Sequence, residues 1–173
     1  MVRWGLSPKR PIPAETLTPT SPHAPALVAL GLVEPATSRL CRYLDTLAAW
    51  SPRINLTGAR TPAERVRLLV ESVLPALTCV SPGTLIDVGS GNGSPGLVLA
   101  LQREDIEATL LEPRQRRWAF LREAVRATGV SSVEVVRARH DTYQGPAAQT
   151  VTMRALSLPF EELGHLLKPT GRL

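Results

Sequence analysis

Cysteine is scarce in this sequence. Cys41 and Cys79 are the only two thiols in 173 residues, and neither belongs to a Cys-x-x-Cys pair or a cluster of metal ligands. This spacing excludes a disulfide framework and a cysteine-based zinc site. We therefore expect both thiols to be buried, in a protein that works in a reducing compartment.

Long hydrophobic runs are absent as well. No stretch approaches the roughly 18 apolar residues of a membrane-spanning helix, and the N-terminus lacks the apolar core of a signal peptide. We therefore predict a soluble, cytoplasmic protein without a membrane partner. The length of 173 residues allows one α/β domain with a substantial core, but hardly two domains.

Lysine is almost missing, since Lys9 and Lys168 are the only two, and arginine carries nearly all of the positive charge behind the net +5. Guanidinium groups pair with phosphate and stack on bases, so this balance is typical of polyanion binding. A GC-rich genome, which favours Arg, Ala and Pro together, would produce the same composition. Composition alone leaves both explanations open.

The chain divides into three regions. Residues 1–25 are rich in Pro, Thr and Ser without apolar periodicity, which predicts a disordered tail. Residues 26–80 show helical spacing of apolar residues, which predicts one helix that ends before Pro52 and another over 63–77. Residues 81–173 should form a further region that makes one globular unit with 26–80.

Strand and helix patterns alternate in this last region. Gly129 is placed to end a helix over 114–128. The alternation predicts an α/β fold with a parallel-type sheet and helices on both faces. Such sheets bind ligands beyond the carboxyl ends of their strands. The predicted strands are "TLIDV", "EATLLE", "VEVVRA" and "TVTMRAL". The last segment, "FEELGHLLKPTGRL", predicts a helix, a turn at Pro169 and the first residues of a fifth strand.

The glycine-rich loop after the first strand fits two patterns. Gly91, Gly93 and Gly96 spell G-x-G-x-x-G, which is typical of dinucleotide binding. In the other frame, Asp87 precedes Gly89, Gly91 and Gly93. An acid repels a pyrophosphate but attracts a cationic ligand, and S-adenosylmethionine carries a sulfonium and an ammonium. The acid-first frame therefore favours the methyl donor, and four glycines cost too much backbone entropy for a turn without a ligand.

Glu112 ends the second predicted strand. A carboxylate at this place can accept hydrogen bonds from both ribose hydroxyls of an adenosine. A salt bridge with Arg114 or Arg116 is the structural alternative. The strand-end position favours ribose binding.

The segment "IDVGSGNGSPGLVLAL" resembles the cofactor loop of the bacterial 16S ribosomal RNA guanine-N7 methyltransferases, also called glucose-inhibited division protein B. The segments "YLDTLAAWSPRINLTGART", "LLEPRQRRWAFLREA", "VRARHDTY" and "MRAL" resemble the same family in the same order. The likeness covers roughly residues 26–173. It implies a Rossmann-like class I S-adenosylmethionine-dependent methyltransferase.

The resemblance implies a set of site residues. The glycine loop would lie against S-adenosyl-L-methionine, His140 and Asp141 would flank its adenine, and Arg154 would bind at the mouth of the site. A surface histidine and a helix N-cap are the structural alternatives for His140 and Asp141. An arginine that ends an apolar strand is costly unless it is paired, which favours a functional Arg154. The expected cofactor-binding residues are Gly89, Gly91, Gly93, Ser94, Glu112, His140, Asp141 and Arg154.

The implied reaction needs little chemistry from the protein. Guanine N7 has a free lone pair, so we expect no general base, no metal and no nucleophilic cysteine, only in-line positioning. No Asn/Asp-Pro-Pro-Tyr segment for exocyclic amines is present. The expected partner is 16S ribosomal RNA or the small-subunit particle, and the expected state is a monomer. The alternatives are a small-molecule methyltransferase and a non-catalytic nucleotide-binding module.

Two further segments bear on substrate binding. Asn55-Leu56-Thr57 should form a loop beside the active site. Five arginines follow the second strand on one predicted helix, and they are either a solvated face or an RNA contact. They are Arg114, Arg116, Arg117, Arg122 and Arg126.

The sequence also departs from the family. Leu68 stands where the family usually has His, Glu71 where it has Asp, and Ser51 where Asn is common. The family carries further C-terminal strands after the segment that here reads "LKPTG". We therefore expect these strands to be missing, the edge of the fourth strand to be unpaired, and stability to be reduced.

Overall fold

The computed structural model describes residues 21–172. Residues 1–20 of the predicted disordered tail lie outside the described residues. Its last part differs from the prediction, because His23 is fully buried and Ala24 begins helix α1, Ala24–Ala29. The side chain of His23 lies 2.7 Å from Asp45, which fastens this part of the chain to the next helix. No helix of residues 21–172 is long and apolar enough to cross a membrane.

Two further α-helices and a 3-10 helix lie between α1 and the sheet. Helix α2, Ala36–Trp50, buries its apolar face, and α3, Pro62–Leu69, begins with a capping box between Thr61 and Glu64. The helix predicted over 63–77 is wrong in its second half, where a 3-10 helix runs over Glu71–Thr78. Pro75 lies in that half, and proline disrupts an α-helix by clashing with the carbonyl four residues earlier.

Five parallel strands form one sheet in the order β3-β2-β1-β4-β5. Helices α4, Gly96–Gln102, and α5, Gln115–Thr128, follow the first two strands. The predicted α/β class and parallel sheet are confirmed. The strand order changes direction at β1, so the glycine loop lies at the switch point. The strands are β1, Gly83–Val88; β2, Ile106–Leu111; β3, Val133–Val136; β4, Ala148–Met153; and β5, Leu167–Arg172.

Both faces of the sheet are covered. Leu85 of β1 packs in a large core cluster with residues of α2, α4 and α5. Its neighbour Ile86 points the other way and packs with Leu163 and Leu166 of a 3-10 helix over Phe160–Leu166. This alternation follows from the period of two in a strand. This large cluster joins residues of 26–80 to the sheet. The helices before β1 are therefore packed firmly against the sheet.

Two expectations differ from the structure. The edge of β4 is paired, since β5 lies parallel to it with Leu167 opposite Ala148. Pro169, which suggested a turn, lies inside this edge strand, where a residue without an N–H is tolerated. Of the two thiols, Cys41 is buried as expected, whereas Cys79 is exposed.

Candidate active site

A cavity of about 490 Å³ opens at the carboxyl ends of β1, β2 and β4. The glycine loop forms one wall, the residues after β2 and β4 form two more, and the segment around α3 closes the fourth. Its lining comprises Leu56, Thr57, Leu68, Leu69, Gly89, Ser90, Gly91, Asn92, Ser94, Glu112, Pro113, Arg114, Arg117, Arg154, Ala155 and Leu156. The predicted loop beside the site is confirmed, because Leu56 and Thr57 belong to this lining.

The glycine loop is fixed by contacts with the helical segment before the sheet. The buried hydroxyl of Tyr43 donates to the carbonyl of Asn92 over 2.8 Å, and the amide of Asn92 donates to the carbonyl of Leu56 over 3.0 Å. Burial raises the pKa of the Tyr43 phenol, so the hydroxyl stays protonated. Gly93 has a φ of +94°, and an added Cβ would lie 3.2 Å from the Tyr43 ring. Gly93, predicted to bind the cofactor, is therefore packed against Tyr43 and does not line the cavity.

Gly89 and Gly91 do line the cavity. Gly89 has a φ of +68°, and an added Cβ would lie 2.5 Å from a methyl carbon of Leu156. No side chain fits there unless Leu156 moves. Gly89 therefore allows Leu156 to pack closely against this part of the loop.

Glu112 follows β2 and faces the cavity, although its side chain is only 3% exposed. One carboxylate oxygen accepts from the N–H of Gly91 over 3.0 Å, and the other accepts from the N–H of Arg114 over 2.8 Å. Within residues 21–172 it forms no salt bridge, so the predicted structural alternative does not occur. Each oxygen keeps a further lone pair. This carboxylate fits the two hydroxyls of a ribose.

Asp87 does not face the ligand cavity, although the sequence pattern suggested that it attracts a cationic ligand. It is fully buried beneath the loop and does not line the cavity. One oxygen accepts from the hydroxyl of Thr152 over 2.7 Å, and the other, packed against Gly96, has no hydrogen-bond partner among the described residues. Burial raises the pKa of this carboxyl to about 6. Its position joins β1 to β4 and excludes direct contact with a ligand in the cavity.

Arg154 directly follows β4 and is exposed, and within residues 21–172 it forms hydrogen bonds but no salt bridge. Its guanidinium donates to the hydroxyl of Ser94 over 3.0 Å, to the hydroxyl of Ser72 over 3.2 Å and to the carbonyl of Leu68 over 3.0 Å. The hydroxyl of Ser94 in turn donates to the carbonyl of Leu69 over 2.8 Å. Arg154 therefore ties the end of β4 to the glycine loop and to α3.

His140 and Asp141 are not brought into the cavity lining. His140 is 7% exposed, so the surface alternative is wrong, and its ring nitrogen lies 3.0 Å from a carboxylate oxygen of Glu162. Asp141 pairs with Arg139, and this hydrogen-bonded guanidinium lowers the pKa of the carboxyl. Asp141 does not cap this 3-10 turn over His140–Thr142, whose N-cap residue is Arg139. Adenine binding by either residue stays a prediction.

The sequence did not single out Pro113 and Leu156 as lining residues, nor Arg117 as part of the cavity. Arg117 donates to the carbonyl of Asn55 over 3.3 Å and lies beside Gly91. Its position could have been found, because residues three apart on a helix share a face, and Arg114 directly follows the strand-end segment.

The strand order, the glycine loop after β1 and the carboxylate after β2 define the Rossmann-like fold of S-adenosylmethionine-dependent methyltransferases. Solved structures share this fold. Coclaurine N-methyltransferase matches with a TM-score of 0.54 and 12% identity over 86% of this chain and 55% of its own. A Methanococcus maripaludis protein described as an S-adenosyl-L-methionine-dependent methyltransferase matches with a TM-score of 0.52 and 19% identity over 62% and 57%.

The family follows from sequence. The family model of rRNA small subunit methyltransferase G, GidB, matches residues 36–173. The chain is 36% identical over 157 residues to ribosomal RNA small subunit methyltransferase G of Neisseria meningitidis serogroup C, covering 84% of this chain and 72% of the relative. It is 37% identical over 147 residues to that of Methylobacillus flagellatus, covering 83% and 70%. The chain belongs to this family, and the predicted family, enzyme class and methyl donor are confirmed.

Proposed function

We propose that this chain transfers a methyl group from S-adenosyl-L-methionine to N7 of a guanine in 16S ribosomal RNA. The composition of the cavity lining carries the proposal. Within residues 21–172, the lining contains no His, Cys, Lys, Asp or Tyr, and its one carboxylate, Glu112, is engaged by two backbone N–H groups. Among the described residues, this lining therefore offers hydroxyl groups but no imidazole, no amine and no unengaged carboxylate that could act as a general base. It suits an acceptor such as guanine N7, whose lone pair is available without loss of a proton.

The fold supports roles for particular residues. Glu112 would hold the ribose hydroxyls, and the backbone at Gly89 and Gly91, which lines the cavity, would contact the rest of the cofactor. When bound, the cofactor supplies an electrophilic methyl group on a sulfonium. Arg154 is a positioning residue, since it fixes the loop wall through Ser94. His140 and Asp141 remain the expected neighbours of the adenine.

The contribution of the chain to the reaction is position and exclusion of water. Leu56, Leu68 and Leu69 add apolar side chains to the cavity lining beside the glycine loop. Holding two reactants in line replaces a bimolecular encounter, which is the main source of rate where no proton moves. We propose 16S ribosomal RNA or the small-subunit particle as the substrate and a monomer as the acting state.

The test is transfer of a labelled methyl group. Purified chain is incubated with radiolabelled S-adenosylmethionine and small subunits from a strain that lacks the modification. The 16S RNA is then digested and analysed by mass spectrometry. The expected product is 7-methylguanosine, and label on another atom or no label in RNA would contradict the proposal.

A matched pair of variants tests the cofactor role. Glu112→Ala removes the ribose acceptor and should weaken S-adenosylhomocysteine binding by about 1–3 kcal/mol, the scale of hydrogen bonds to a charged group. Glu107→Ala removes an exposed carboxylate from the same strand and should leave the dissociation constant unchanged. Calorimetry measures both, and equal constants for the two variants would exclude Glu112 from the cofactor site.

A further inference from the structure

A second concave surface adjoins the active-site cavity. It is a groove of about 560 Å³ between the loop that follows α2 and the start of α5. Four of its seven residues are arginines and none is acidic. We call it the arginine groove, and its lining is Arg53, Ile54, Asn55, Arg114, Gln115, Arg116 and Arg117.

The groove arginines have no salt-bridge partner within residues 21–172, unlike some arginines elsewhere in the fold. Arg126, on the same helix α5, is paired with Glu123 over 2.6 Å, and Arg103 is paired with Asp105 over 2.6 Å. Within residues 21–172, none of the four groove arginines forms a salt bridge. Their positive charge is therefore not neutralised by the protein and remains available to an anion.

The groove continues into the cavity. Arg114 and Arg117 line both, whereas Arg53 and Arg116 line the groove alone. A polymer with one unit in the cavity would therefore place neighbouring units over the groove.

We infer that the arginine groove binds the phosphates of the RNA strand next to the guanine that enters the cavity. The inference rests on the proposed function and names the part of the substrate recognised there. Phosphates are the anions of regular spacing that flank a target base, and guanidinium groups bind them through two parallel hydrogen bonds. Contacts of this kind fix register on the RNA without reading sequence.

The test separates RNA binding from cofactor binding. The double variant Arg53→Gln with Arg116→Gln removes two exposed guanidiniums that do not line the cavity. Binding of fluorescein-labelled 16S RNA is followed by anisotropy across a salt series. We expect binding at least about tenfold weaker and a log–log salt slope smaller by about 2, one for each lost phosphate contact. Affinity for S-adenosylhomocysteine should stay unchanged.

Two controls sharpen the result. Arg126→Gln removes a paired arginine of the same helix and should bind RNA like the wild type. The double lysine variant, Arg53→Lys with Arg116→Lys, keeps both charges and should recover most of the salt slope. An unchanged salt slope in the double glutamine variant, or an equal loss in Arg126→Gln, overturns the inference.

The outcomes also separate this inference from the proposed function. Wild-type chain that binds RNA through the groove but transfers no methyl group supports the groove and contradicts the function. Transfer to 16S RNA with unchanged binding by the double glutamine variant supports the function and overturns the groove.

Discussion

At the scale of single residues, two carboxylates at the ends of neighbouring strands have opposite surroundings. Glu112 accepts two backbone N–H groups at the cavity, whereas Asp87 is sealed below the loop with one oxygen unpartnered among the described residues. Only the first can meet a ligand. The sequence placed both acids near the cofactor, because strand ends predict the edge of the sheet but not which side of the loop a side chain occupies.

The buried Asp87 predicts a pH dependence of stability. Its folded-state pKa of about 6 exceeds the value near 4 of an unfolded aspartate, so folding favours the protonated form. This contribution is complete below about pH 4 and is lost as the pH rises through about 6. Asp87→Asn cannot ionise, so its unfolding free energy minus that of the wild type should rise by about 3 kcal/mol over this interval and then level off.

Urea unfolding at several pH values measures this difference. The control is Asp105→Asn, because Arg103 lowers the pKa of Asp105 and makes the wild type gain stability as the pH rises. The difference for Asp105→Asn should therefore stay flat between pH 4 and 7 and change, in the opposite direction, only below about pH 4. If the unfolding free energy of Asp87→Asn minus that of the wild type stays constant between pH 4 and 7, folding does not favour the protonated form of Asp87.

At the scale of elements, helix α5 ends where the sequence predicted. Its C-cap residue, Gly129, has a φ of +71°, and no atom lies within 4 Å of a Cβ added there. Gly129→Ala should therefore lower the free energy of unfolding by about 1 kcal/mol through backbone strain alone. Urea denaturation measures the effect.

Gly58→Ala is the matched control for this change. An added Cβ again meets nothing within 4 Å, but the φ of Gly58 lies outside the left-handed region. This variant should be as stable as the wild type or slightly more stable, because alanine restricts the unfolded chain. Equal losses in the two variants would exclude strain at Gly129 as the cause.

The elements between residues 83 and 136 could be predicted because their signals are local. Apolar runs, the glycine loop and Gly129 mark each boundary. The sequence pattern was ambiguous around Pro75 and Pro169. It predicted an α-helix around Pro75, where the structure has a 3-10 helix, and a turn at Pro169, where the structure has an edge strand. At Pro75 the proline itself disrupts the α-helix, whereas at Pro169 pairing with β4 decides the conformation.

The candidate site, too, could be predicted only in part. The loop and Glu112 were found from sequence, whereas the contacts that fix them were not. Tyr43 and Asn92 are 49 residues apart, and Arg154 and Leu68 are 86 apart. A sequence pattern describes neighbours along the chain, so bonds of this length became visible only in the folded structure.

At the scale of the whole molecule, Arg154 connects three separate parts of the chain. We predict that Arg154→Ala lowers methyl transfer to 16S RNA at least about tenfold, since the loop wall loses its tie to α3 and the reactants lose alignment. Amide hydrogen exchange around Ser94 should become faster. A merely local role would leave exchange in the loop unchanged.

The control for this variant is Arg67→Ala, which removes an exposed arginine next to Leu68. It should retain wild-type transfer and exchange. Arg154→Lys, with fewer donors in a less rigid arrangement, should recover part of the activity. Equal turnover by the wild type and Arg154→Ala would refute the positioning role.

The central place of β1 in the sheet has a consequence for synthesis on the ribosome. β1 is the first strand made, yet its partner β4 leaves the ribosome long afterwards, and until then one edge of β1 is open to wrong pairing. The cavity is likewise incomplete until Leu156 has been added. A ligand stabilises only a chain that can bind it. A ligand of this cavity can therefore stabilise only the folded domain, whereas the nascent chain must avoid aggregation at the open edge of β1 without that help.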